Sequence, residues 1–240
     1  MVKTMRMIAA YRKEGGISYT SHLDVQRILH RAMRRADLPL MYSQGFNPHP
    51  ITAFCTALAT GYTGECEWFE CGLTQEMEPE EFTRRMNAAL PNGMSVWGSF
   101  VAEEGMSSLA KLVRAARYLI TLTTKEPLQE GELETAVEKM LTATEITVDK
   151  KSKGGMRTVD MRPQILEAKV IKAGGCTARF DVLGTLFADG GLRADAFMHV
   201  LLDLLGTDGF VEVHRSEMLF EGCAKLPRFE ASSAATVPQN

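Results

Sequence analysis

An α+β fold made of two successive βαββαβ units, the second carrying an extended basic hairpin, is what this 240-residue sequence predicts. Three observations lead there. The length suits two domains of ordinary size better than one. The composition is globular, with 45% hydrophobic and 24% charged residues, which is enough to build a core in each half. Segments of period two alternate with segments of helical period, and that order recurs in the second half.

In the first half, Met5 to Tyr11 alternates loosely and leaves through Gly15-Gly16, as a strand entering a turn. Ser21 offers a helix N-cap, with Asp24 three residues on in the acidic variant of the capping-box pattern. Val25, Ile28, Leu29, Ala32, Met33 and Ala36 then repeat at helical spacing until Asp37 and Pro39. Ile51 to Ala59 and Cys66 to Leu73 read as strands separated by Gly61 and Gly64. Glu78-Pro79 opens a second helix whose stripe is Phe82, Met86, Ala89 and Leu90. Pro91-Asn92-Gly93 breaks it, and Met94 to Val101 is a closing strand. This is the ferredoxin-like order, in which two helices cover one face of an antiparallel sheet.

The second half repeats the theme with a longer middle. Arg117 to Thr123 alternates, Glu132 to Thr142 has a helical stripe, and Glu145 to Asp149 pairs with Arg157 to Met161 across a lysine-rich tip. Ile165 to Ala173 and Thr177 to Leu183 form a hairpin through Gly174-Gly175. Arg193 to Leu205 is an amphipathic helix, and Phe210 to Phe220 a last strand. The expected layout is therefore one ferredoxin-like domain at 1–103, a connection at 104–116, a second domain at 117–224 and a polar tail at 225–240.

The net charge of −3 and pI near 6.0 argue against a protein that coats nucleic acid with its whole surface. They leave room for a local basic face, since a field depends on where charges sit. No apolar run reaches the ~20 residues that cross a bilayer, and Met1 to Arg12 lacks an apolar export signal, so a cytoplasmic location without membrane contact is expected. The five cysteines (Cys55, Cys66, Cys71, Cys176 and Cys223) are scattered with no CxxC pair, which reads as reduced thiols. Neither a metal site nor a cofactor is expected of this chain.

The first helix carries Gln26, Arg27, His30, Arg31, Arg34 and Arg35 opposite its apolar stripe, with no acidic residue between Gln26 and Arg35. Arg27, Arg31 and Arg34 stack along one side, and guanidinium forks bind phosphate oxygens bidentately. The competing reading is a solvated face whose arginines pair with carboxylates elsewhere. The loop from Tyr42 to Pro50 is stiffened by Pro48 and Pro50 and turned by Gly45. It presents Tyr42, Gln44, Phe46, Asn47 and His49, the side chains that stack on and read the edges of single-stranded RNA. Its structural alternative packs Phe46 into the core. His22, His30 and His49 are the candidates for general acid–base chemistry, although no spacing demands it and no Asp or Glu joins them as metal ligands. Lys150, Lys151 and Lys153 form a second basic patch able to grip phosphate, and Asp160 with Arg162 is expected to make a structural pair on extended backbone before Pro163.

These residues carry a resemblance. Tyr19-x-Ser21-His22-Leu23-Asp24, Arg31-Ala32-x-Arg34-Arg35-Ala36-x-Leu38-Pro39, the loop Tyr42-Ser43-Gln44-Gly45-Phe46-Asn47-Pro48-His49-Pro50 and Val159-Asp160-x-Arg162-Pro163 resemble the radical-SAM-linked domain of unknown function, over nearly the whole chain. That domain occurs as the C-terminal part of a radical SAM protein or as a separate neighbouring protein. Ile51-Thr52-Ala53-Phe54 and Gly61-Tyr62-Thr63-Gly64-Glu65 depart from the family's usual wording without touching the basic helix. The resemblance implies an accessory role beside a radical SAM enzyme and supplies no reaction. The tandem pattern also resembles, at the level of fold, the RAMP-type CRISPR RNA-processing proteins. Three functions follow as expectations: a module that holds RNA (tRNA or rRNA) for a radical SAM partner, an adaptor that docks that enzyme without RNA, and a metal-independent endoribonuclease.

Overall fold

The structure, a computed structural model, describes residues 4–152 and 155–221, with the side chains of 150–152 outside that description. In chain order its elements are β1 (Met5–Lys13), α1 (His22–Arg35), β2 (Thr52–Phe54), β3 (Thr63–Leu73), α2 (Pro79–Ala89), β4 (Met94–Val101) and α3 (Leu109–Leu112). There follow β5 (Val113–Thr124), α4 (Glu130–Thr142), β6 (Thr147–Ser152), β7 (Gly155–Asp160), β8 (Ile165–Gly174), β9 (Thr177–Phe187), β10 (Gly190–Gly191), α5 (Ala194–Leu205) and β11 (Gly209–Phe220).

Local chemistry sets the ends of α1. The Ser21 hydroxyl accepts from the Asp24 N–H at 3.2 Å, satisfying one of the free donors of the first turn. At the other end Asp37 takes φ of 49°, a left-handed conformation that a short polar side chain tolerates, and the Leu38 N–H closes on the Met33 carbonyl. Val25, Leu29, Ala32 and Met33 are buried beneath it, as their spacing predicts.

Among the described residues nine strands make one mixed, mostly antiparallel sheet, in the order β10-β9-β5-β11-β3-β1-β4, with β2 added to β3 and β8 to β9. Within the first half β1 lies antiparallel between β3 and β4, and β2 pairs with the outer edge of β3. Within the second, β5 lies antiparallel between β9 and β11, and β8 pairs with the outer edge of β9. The two sheets expected from the sequence are continuous: β11 meets β3 in parallel at His214–Thr63 and Arg215–Gly64. Two strand edges that would otherwise present unpaired backbone groups thereby cover each other.

The strand expected over Ile51 to Ala59 shrinks to β2, which pairs Thr52 to Phe54 with Cys71 to Phe69. The Cys55 N–H adds one bond to the Trp68 carbonyl at 3.0 Å, and β11 takes the same edge of β3 further along, at Thr63 and Gly64. The connection is also shorter than expected, since β5 starts at Val113. Glu70 holds it from below: its Oε1 accepts from the Leu109 N–H at 2.6 Å, and the Arg6 guanidinium donates to the Met106 carbonyl at 2.5 Å.

The basic hairpin exists as a separate ladder of β6 and β7 between α4 and β8. The side chains of Lys150 and Lys151, and all of Lys153, lie outside the described residues, as do 222–224 and the tail at 225–240. Asp160 and Arg162 are joined, through the Arg162 N–H and not by an ion pair between their side chains. Arg162 opens a 3-10 turn (Arg162–Gln164) rather than continuing extended. Asp160 Oδ1 accepts from the N–H groups of Ile146 and Arg162, both at 2.9 Å. The Arg162 guanidinium donates instead to the carbonyls of Leu141 (2.6 Å) and Ile165 (2.9 Å), which includes an acceptor in the last turn of α4.

Two apolar clusters fill the fold. One packs Val25, Leu29, Met33, Phe82 and Met86 on Met7, Ala9, Phe69 and Leu73. The other packs Leu133, Val137, Met140, Phe197 and Leu201 on Ile120, Leu122, Phe180 and Val182, and continues onto Ile8, Ala10 and Trp68 of the first half. Among the described residues no helix is long and apolar enough to cross a membrane.

Candidate nucleic-acid interface

The face of α1 opposite its core stripe divides into anchored and open arginines. Arg27 pairs with Asp24 one turn back at 2.9 Å, so it is not the bare charge that the stretch Gln26 to Arg35 suggests. Arg35 donates to the Ala89 carbonyl at 2.6 Å, past the end of α2. Arg31 and Arg34 are exposed, and neither has an ion-pair or hydrogen-bond partner among the described residues.

The loop after α1 stands out from the fold on a closed base. Tyr42 bridges Pro50, the Ser43 N–H donates to the His49 carbonyl at 2.9 Å, and the His49 N–H returns to Ser43 Oγ at 3.1 Å. The Ile51 N–H and Met41 carbonyl continue this ladder, and the Met41 N–H joins it to Gly72 of β3. Gly45 takes φ of 128°, which an L side chain rarely adopts, so this residue makes the reversal at the tip. Gln44, Phe46, Asn47 and His49 are exposed, and Phe46 is fully exposed at 106%. The alternative in which Phe46 enters the core is therefore excluded. Tyr42 is 41% exposed on the same loop.

The helix is tied through His30 to β2, the strand that follows the loop. His30 shares a hydrogen bond with Thr52 Oγ1 at 2.8 Å. Its pKa is held below the ordinary histidine value, by burial first and then by the charges of Arg34 and His49. His49 Nδ1 lies 2.9 Å from Ser43 Oγ. His22 sits elsewhere: it accepts from the Gln26 amide at 2.8 Å, stands edge-on to Phe54, and is likewise held low by burial. Each candidate acid–base histidine thus has its own structural partner. Among the described residues no two of them hydrogen-bond to each other, and no group of His, Cys, Asp and Glu is placed to hold a metal ion.

A buried polar group at the seam went unread in the sequence. Arg215 on β11 makes a two-bond ion pair with Glu67 on β3, its Nε donating at 2.7 Å, with both side chains at most 2% exposed. Lys13, also buried, donates to the Thr20 carbonyl at 3.2 Å, and desolvation lowers its pKa against the pull of Glu67. Tyr118 of β5 is buried as well, and burial keeps its phenol protonated. A signal was present: Lys13 follows Met7, Ala9 and Tyr11 in the inward alternation of β1, and Glu67 precedes Phe69 and Cys71 in that of β3. Cys55 and Cys71 are buried nearby with thiols pushed up to about 12, so they are not nucleophiles at neutral pH.

The chain belongs to a bacterial family described as an uncharacterized protein conserved in bacteria (DUF2344), whose model matches residues 6–190. No curated protein matches the sequence. Among solved structures it is similar to a chain in a Cbf5–Nop10–Gar1 complex, with 11% identity, a TM-score of 0.50 and 88% of this chain covered. It is also similar to chains in an H/ACA RNP bound to a substrate RNA containing 2'-deoxyuridine (12% identity, TM-score 0.48, 89% of this chain) and in an archaeal box H/ACA Nop10–Cbf5 complex (12%, 0.47, 87%). This chain spans 46–48% of those chains. At such identity the first likeness speaks to the mixed α+β fold alone.

Proposed function

We propose that this DUF2344 member is an RNA-binding accessory protein that holds its ligand on α1 and the 42–50 loop. The observation that supports it is a pair of exposed arginines, Arg31 and Arg34, without partners among the described residues, on the helix that leads into a loop tied shut at its base and carrying a fully exposed Phe46. A phenyl ring left wholly in water stabilises nothing in the free protein, whereas a ring that stacks on a base and guanidiniums that grip its phosphates use both features at once. The closed base leaves the loop little freedom to lose on binding. Arg27 and Arg35, already bonded, shape this surface more than they bind.

We read the two halves as tandem ferredoxin-like units, because in each the first strand lies between the third and the fourth and the second lies outside the third. The partner in this reading is a radical SAM enzyme that works on the held RNA, tRNA or rRNA; the sequence resemblance supports that part. A docking adaptor is the second reading, favoured by the exposed apolar Tyr19 and Leu23 at the start of α1.

The test is retention of single-stranded and transfer RNA by the purified protein across a salt series. Binding through several phosphates weakens steeply with salt, and each removed contact lowers the log–log slope by about 1. The joint substitution Arg31→Glu and Arg34→Glu is expected to abolish binding with the melting temperature unchanged. Absence of RNA retention at low salt, together with co-purification of a radical SAM enzyme, would replace the RNA reading by the adaptor.

A further inference from the structure

Beside the seam the molecule has a cleft of about 680 Å³ with walls drawn from both halves. One wall is the 56–62 loop, the other is the turn after β9 with the start of α5, and the buried Tyr118 and Arg215 line its inner end. Its charges cancel in pairs, Arg215 against Glu67 and Arg193 against Asp195. Asp189 also lines it, and among the described residues no cation of the lining is left unmatched, so a phosphate or carboxylate is a poor occupant.

What the inner end offers is donors. The Arg215 guanidinium has more N–H groups than its two bonds to Glu67 use, and Tyr118 beside it in the lining carries a phenol O–H that burial keeps protonated. Thr56 is nine-tenths buried in the lining, and its Oγ1 has no hydrogen-bond partner among the described residues. Buried hydroxyls are nearly always bonded, so this one marks a place for an outside acceptor. Leu58, Leu186 and Leu192 make apolar walls suited to a flat ring. The 56–62 wall of the cleft is also tied to the entrance of α1. The Gly61 N–H of its wall donates to the Ser18 carbonyl at 2.8 Å, one residue before Tyr19, which is 73% exposed at the entrance to α1.

We infer that this cleft takes up one unstacked nucleobase, presenting a carbonyl edge to Thr56, Tyr118 and Arg215, from the RNA lying along α1. The inference rests on the RNA-binding reading, and uptake of a base explains how a basic helix of only two open arginines would select among strands.

The experiment has two arms. Free uridine and free adenosine are titrated into the isotopically labelled protein while the amide signals of Leu58 and Gly191 are followed. Oligouridine binding is measured for the native protein, Thr56→Val and Ala59→Trp, the last filling the mouth of the cleft from an exposed position. Uridine is expected to shift those amides saturably, adenosine at least ~3-fold more weakly, and both variants are expected to weaken oligouridine ~3- to 10-fold without changing the salt slope. Melting temperature controls for folding. Oligouridine binding untouched by both variants, with no uridine shifts at the cleft, overturns the inference and leaves the RNA reading standing. Uridine shifts at the cleft without oligouridine retention overturn the RNA reading and keep the nucleobase site. Silence in both arms overturns both.

Discussion

Replacing Glu67 by Gln takes away the charge that Arg215 faces in the seam. Both side chains are at most 2% exposed, so neither solvent nor counterions can compensate. Breaking a buried pair from one side costs about 3–5 kcal/mol, since an uncompensated guanidinium stays behind in a dry site. The same size follows from the two charge-assisted bonds between them, each worth about 1.5–3 kcal/mol. In a chain of this length each kcal/mol lowers the melting temperature by about 2–4 °C, so Glu67→Gln is expected to lower it by roughly 6–20 °C. Urea unfolding followed by circular dichroism measures the free energy directly. The double variant Glu67→Met with Arg215→Met is expected to regain most of the loss, because it removes both desolvated charges. A loss under about 1 kcal/mol in the single variant, or a double variant no better than the single, would refute the account of the seam.

Phe46→Ala should weaken RNA by about 1–3 kcal/mol of lost stacking while leaving stability within ~0.5 kcal/mol, as fluorescence anisotropy and thermal melts would record. His22 and His30 have pKa values below the ordinary ~6.5, chiefly through burial, so the unfolded chain binds protons that the fold does not. Their contribution is therefore whole above about pH 6.5 and lost as pH falls through the depressed values; His30→Gln should flatten the acid limb of stability against pH. Arg162→Met strands the Leu141 and Ile165 carbonyls and is expected to cost about 1–3 kcal/mol in urea unfolding. Gly191→Ala would put a Cβ 2.2 Å from the Thr185 carbonyl oxygen, so backbone must move; a lower melting temperature and weaker oligouridine binding are expected together.

Much of the first half could be read directly. The α1 stripe Val25, Leu29 and Met33 went inward because helical spacing puts those side chains on one face, and Ser21 capped the helix because its hydroxyl reaches a free N–H nearby. The turn at the tip of the 42–50 loop was legible in Gly45, flanked downstream by Pro48 and Pro50, since those residues restrict or permit φ by their own covalent structure. Which arginines remain open was not legible. Arg35 finds its acceptor at Ala89, across the packing of α1 and α2.

The tip of the loop and the basic stripe on α1 were thus determined within the sequence itself, by forces that act over a turn or two of chain. The seam was decided only in three dimensions. Glu67 and Arg215 stand 148 residues apart, and nothing local tells either that a partner of opposite charge will be buried beside it. Their meeting depends on β11 returning to the free edge of β3, and that choice also brings Arg215 into the lining of the cleft. Strand edges pair through backbone groups that every residue carries, so the sequence marks where strands form far better than which edges they will share.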